Sequence, residues 1–150
     1  MENILTRNTK IWLVVARIAA GWLFFYAGIT KVLNPEWSAA GFLGGAKTFP
    51  GLYAWFADSS IIGVVNFLNE WGLTLLGISL ILGLFVRWSA WPGVALMVLY
   101  YFAGNNFPFV PNGFIVDQHI ILIALLALFF VADAGKYFGL DAKFPRKISQ

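Results

Sequence analysis

The chain has no cysteine in its 150 residues and only one histidine, His119. Without a thiol it cannot form a disulfide, a thiol relay, an iron–sulfur cluster or a zinc–thiolate site of its own. A single imidazole also excludes bis-histidine haem ligation within the chain. The seven Asp and Glu are spread too widely in sequence to form a metal cage, so no metal is expected. Any redox chemistry therefore needs a borrowed cofactor or a partner.

Charge is scarce as well. Only 11% of residues are charged against 60% hydrophobic, and the mean hydropathy is +0.78, which excludes an ordinary soluble domain and describes a multi-pass membrane protein. The isoelectric point near 9.3 would suggest nucleic acid for a soluble chain. Here the basic residues gather at the ends of apolar runs, so no nucleic-acid partner is expected. Residues 1–10 are polar, the apolar run after them exceeds a signal-peptide core, and no A-x-A-like site follows, which argues against a cleaved leader.

Four apolar stretches are long enough to read as spans: about 11–33, 61–85, 88–103 and 114–134. The first organises the rest because it crosses about 34 Å yet carries Arg17 and Lys31. At 100° per residue, Gly21, Phe24, Gly28 and Lys31 fall within about 40° of Arg17, a stripe expected to face protein rather than lipid. In the second span Asn66, Glu70, Thr74, Gly77 and Ile81 share one face. The third span is charge-free, with Pro92 expected near its first turn. The fourth opens with Asp117, Gln118 and His119, and Asp117 points away from His119 if helix has already begun there.

Between the first two spans, residues 34–60 are broken by Pro35, Gly44-Gly45 and Pro50-Gly51 yet rich in Trp and Phe. They predict short amphipathic pieces on the membrane surface or folded back over the bundle. Residues 104–113 predict a compact, irregular, uncharged loop. Seven Lys and Arg fall on one side of the spans (Arg7, Lys10, Arg87, Lys136, Lys143, Arg146, Lys147) and only Lys47 on the other, which places both termini in the cytoplasm. The expectation is an all-α membrane protein, one up-down four-helix transmembrane bundle over 1–150, with a long, partly structured first outer loop.

This topology sets two polar layers. Arg17 and Asp133 share the inner half and are expected to form a structural ion pair. Lys31, Glu70 and His119 share the outer half. There a carboxylate, an imidazole and a cation can serve a quinone carbonyl or an oxyanion: Glu70 and His119 as candidate catalytic groups, Lys31, Arg17, Asn66 and Asp117 as candidate substrate-binding groups. The plainer reading is that Glu70 and His119 are helix-start residues wetted by the interface.

The run ARIAAGWLFFYAGITKVLNP, with an Arg and a Gly ahead of an aromatic stretch and G-x-x-K at the helix end, resembles the first span of the DoxX/DoxD family of small four-helix membrane proteins. The closing AGKYFGLD, residues 134–141, resembles the DoxD type, the membrane subunit of thiosulfate:quinone oxidoreductase. The resemblance implies a subunit of the prokaryotic cytoplasmic membrane that passes electrons from a sulfur compound such as thiosulfate to membrane quinone, with a second redox subunit on a separate chain. The lipid bilayer and quinone are then its partners, and homo-oligomers stay open. Two other classes remain: a non-catalytic membrane anchor or assembly protein for a redox partner, and a small proton-coupled transporter. The seven-to-one charge bias sets the chain apart from dual-topology exporters.

Overall fold

The computed structural model describes residues 6–111 and 113–143. Arg146 and Lys147, counted above among the inner charges, lie outside the described residues. The chain is mostly helical: α1 (Arg7–Val32), α2 (Ala40–Gly44), α3 (Pro50–Phe56), α4 (Ile62–Leu82), α5 (Val86–Gly104) and α6 (Gln118–Val131). A two-residue hairpin, β1 (Phe109–Val110) with β2 (Gly113–Phe114), precedes α6, and two 3-10 turns, Ala134–Lys136 and Leu140–Lys143, follow it. The loop at 104–113, expected to be irregular, thus closes into a short hairpin, with Phe109 and Phe114 paired across it at 5.9 Å.

Helices α1 and α4 are long and apolar enough to cross a bilayer. Helix α6 has 14 residues, about 21 Å, and starts later than the expected span because Asp117 ends the extended loop as its N-cap. Helix α5 begins at Val86, so Pro92 sits inside it rather than in its first turn.

Helices α1 and α4 run antiparallel in close contact. A Cβ on Gly77 would collide with the backbone of Phe25, one on Gly28 with the backbone of Thr74, and one on Gly21 would lie 2.9 Å from the Ile81 nitrogen. The pairs 21/81, 25/77 and 28/74 define one register, and both sequence stripes face this seam. Backbones approach this closely only where side chains are missing, which is how small residues hold apolar helices together. Helix α5 packs on α6, with Trp91 against Phe130 at 5.4 Å and Gly93 beside Leu126.

The core between the helices is aliphatic and aromatic: Phe24, Leu76, Leu80, Met97, Leu126 and Phe129 are almost fully buried. By contrast Trp12, Trp22, Trp88 and Trp91 are 59–71% exposed, and large apolar side chains cover the outer faces of the helices. An outward apolar surface with a tightly packed interior suits lipid rather than water. Two ends can be distinguished. The turn end holds the α4–α5 connection and the 3-10 turns, and the loop end holds α2, α3 and the hairpin.

Candidate functional site

At the turn end, Arg17 is 1% exposed. Its Nη1 donates to the backbone carbonyls of Ala134 (2.5 Å) and Tyr137 (3.1 Å). The expected ion pair with Asp133 is not what forms. Asp133 adopts a left-handed backbone (φ 51) as the chain leaves α6 and pairs instead with Lys136. The acid that attracts Arg17 is Asp141. Asp141 accepts hydrogen bonds from the backbone of Phe85 (2.8 Å) and Val86 (3.2 Å), capping α5, whose own N-cap residue offers no side-chain bond. Gly83 has φ +64, and a Cβ there would lie 2.7 Å from the Arg17 guanidinium; Gly139 packs against the same group. Residues 134–141 therefore form a clasp around a buried cation. Two carbonyls accept from the cation and one carboxylate attracts it. Arg17 is thus held by the main chain at this end, and its Nε has no protein partner.

At the loop end the geometry differs. Lys31, in the last turn of α1, turns inward: Nζ donates to Tyr100 Oη (3.1 Å), and Tyr100 Oη donates to Asn69 Oδ1 (2.7 Å). Nζ also lies 5.1 Å from the centre of the Trp37 ring, a cation–π contact. Behind Tyr100, the His119 ring stacks at 6.0 Å and 13°. His119 Nδ1 lies 2.7 Å from Asp117 Oδ2, which also accepts from Asn105 Nδ2 (2.8 Å). Asp117 thus points toward His119. The helix starts one residue later than the alternative geometry required, leaving Asp117 extended, with its Oδ1 accepting from the His119 and Ile120 backbones. Asp117 lies in the loop that precedes the span. Burial pushes its carboxyl up, and the bonds from His119, Asn105 and Ile120 outweigh burial and hold it below the usual carboxylate range.

Residues 34–60 fold back over this end. Asn66 accepts from the Ala39 nitrogen (2.9 Å) and donates to Ser38, Tyr53 donates to the Leu99 carbonyl (2.7 Å), and Thr48 donates to the Asn105 carbonyl (2.7 Å). The roof so formed encloses a cavity of about 410 Å³. Its wall is mostly aromatic and aliphatic, including Trp37, Phe42, Tyr53 and Phe56, with Lys31, Asn69 and Tyr100 as its main polar groups. A largely apolar pocket with a few converging polar groups is the usual form of a small-molecule site.

Of the residues expected to act together, Lys31 lines the cavity. His119 stands behind Tyr100 and contacts the site through it. Glu70 is half-buried on the seam with α1, within electrostatic reach of Lys31 but off the cavity wall. Asn66 and Asp117 hold the roof and the wall rather than the cavity itself. Tyr100, Asn69 and Trp37 were not singled out from sequence. Tyr100 is a neutral residue in a stretch, 88–103, without charge, and only its register opposite Lys31, seen in three dimensions, marks it. Among the described residues no group of three or more His, Asp or Glu gathers as a metal site.

No curated protein and no solved structure gives a significant match to the chain. The sequence model of DoxX matches residues 12–106, a stretch that carries Arg17, Lys31, Asn69 and Tyr100 and stops before α6 and the clasp. With well over half its length matched, and with two helices built to cross a bilayer, this chain is a membrane-associated protein that belongs to the DoxX family.

Proposed function

We propose that the chain is the integral membrane subunit of an oxidoreductase and that the loop-end cavity holds the ring of a membrane quinone, which accepts electrons from a sulfur compound such as thiosulfate by way of a second subunit on a separate chain. Membership of the family supports the oxidoreductase association. The observation that carries the quinone reading is the Lys31–Tyr100–Asn69 chain on the wall of an otherwise apolar, aromatic cavity.

A quinone ring is flat and apolar, with two carbonyl acceptors. Lys31 has three N–H donors and gives one to Tyr100, so it retains donors for a carbonyl of the ring. Reduction to quinol takes two electrons and two protons and passes through anionic forms. Lys31 favours those forms, and Tyr100 relays hydrogen bonding between Lys31 and Asn69. His119 and Asp117 act as positioning residues that hold Tyr100 in place. A sulfur oxyanion fits less well. It would lose its hydration to a wall with one cation and few donors, a transfer that costs far more than burying a neutral ring. A proton-coupled transporter is also less favoured, because Phe24, Leu76, Met97 and Leu126 pack the interior between the two polar layers.

The same reading has four spans crossing the bilayer, the loop end outside and both termini in the cytoplasm, in agreement with the charge count. Lys31→Met and Tyr100→Phe should each weaken binding of a short-chain quinone by about tenfold or more, the scale of one or two buried hydrogen bonds. Isothermal titration of the detergent-solubilised variants tests this. Wild-type affinity in both would return the protein to the anchor class.

A further inference from the structure

The cavity is not closed on all sides. A second, larger hollow of about 720 Å³ runs between α4 and α5 toward the turn end, and its surface is almost entirely apolar. Leu68, Leu96 and Leu99 belong to the walls of both, so the hollow adjoins the cavity. From Leu68 to Leu82 the groove follows α4 for about 21 Å, or most of a hydrocarbon core. Pro92 and Gly93 thin the facing side of α5, and Gly72 leaves open space on α4 one turn from the cavity mouth.

We infer that this α4–α5 groove is the seat of the ligand's prenyl chain: the site takes a lipid-borne quinone, ring under the α2–α3 roof and tail laid along the groove, rather than a small water-soluble acceptor. The inference rests on the quinone reading of the cavity. What favours a tail of the same ligand over an ordinary membrane lipid is that groove and cavity share a wall. The groove begins beside the polar wall of Lys31, Asn69 and Tyr100 that can hold a ring, whereas a phospholipid on the same path would have to bury its charged headgroup in the apolar cavity. An apolar chain in the groove gains contact with side chains that otherwise line an open trough.

The test is binding of one quinone ring carrying either no tail or a tail of several isoprene units. It compares native protein with Gly72→Phe in nanodiscs of identical lipid composition, so that membrane partitioning cancels for each ligand. No neighbouring atom lies within 4 Å of where a Cβ on Gly72 would stand, so a side chain can start from there toward the groove, and Gly72→Ala controls for the helix itself. Gly72→Phe should bind the tailed quinone about tenfold more weakly, the equivalent of losing burial of roughly two methylene groups, and the tail-less ring unchanged. Equal affinity of native and Gly72→Phe protein for the tailed quinone overturns the inference and leaves the ring site standing. A changed oligomeric state at unchanged tailed affinity also overturns it and assigns the groove to a second copy of the chain. Failure of native protein to bind either quinone removes the quinone reading itself, and this inference with it.

Discussion

The two cations of α1 meet opposite fates. Lys31 lies near a helix end, where a long side chain can reach polar surroundings, yet it turns inward because Tyr100 and the Trp37 face receive it. Arg17 is deeper and is met by main chain: two carbonyls and a left-handed glycine close around its guanidinium. Substituting Gly83 by Ala should therefore destabilise the protein by about 1–3 kcal/mol, since it forces a side chain into positive φ and against Arg17. Asp133→Asn should cost less than about 1 kcal/mol, because its partner is the half-exposed Lys136. Thermal unfolding in one detergent measures both, and an Asp133 effect as large as that of Gly83 would restore the ion pair that the geometry replaces. The stripe that carries both cations was legible from helical periodicity. Their partners were not, since carbonyl oxygens leave no mark in a sequence and Asp141 lies in a segment that reads as a departing tail.

Among the elements, the α1–α4 seam is specified by absent side chains and the start of α6 by one carboxylate. Gly77→Ala should lower the melting temperature, because its Cβ meets the Phe25 backbone. Gly72→Ala on the same helix should be neutral or slightly stabilising, because its Cβ meets nothing and alanine favours the helix by about 0.5–1 kcal/mol. The contrast separates packing from propensity in a single thermal-shift experiment. Asp117→Asn removes charge from the α6 cap. The folded carboxyl titrates below its unfolded value, so its contribution is present above about pH 4 and is lost as pH falls through the folded pKa. The variant should therefore be less stable than native by about 1 kcal/mol at pH 7, with the gap narrowing below about pH 4. A gap that does not narrow at all as pH falls through the acid range would show that the effect is shape, not charge. Helix positions were readable from hydrophobic runs to within a few residues. The late start of α6 was not, because Gly113 to Val116 are as apolar as the helix they precede and only the hairpin takes them out of it.

At the scale of the whole molecule, antiparallel helices set two polar layers about 21 Å apart along α1, with an apolar interior between them. The upper layer opens to a cavity and the lower one is sealed by the clasp. Sequence separated the layers by depth but could not say which was hollow, since a cavity is made by the roof folding back, and that depends on contacts such as Tyr53 to Leu99 and Ala39 to Asn66. Orientation follows from the charge bias: a cysteine at Gly45 should react with an impermeant reagent from outside intact cells, and one at Lys143 only after permeabilisation. The central claim is that the roofed cavity beside Lys31, Tyr100 and Asn69 receives a quinone ring. The most direct measurement is photolabelling of native protein in membranes with an azido-quinone, followed by peptide mapping. Labels on Trp37, Phe42 or Tyr100 that are competed by unlabelled quinone and lost in Lys31→Met are the predicted result; competed labels confined to residues outside the cavity, or labels on it indifferent to Lys31, would contradict the account.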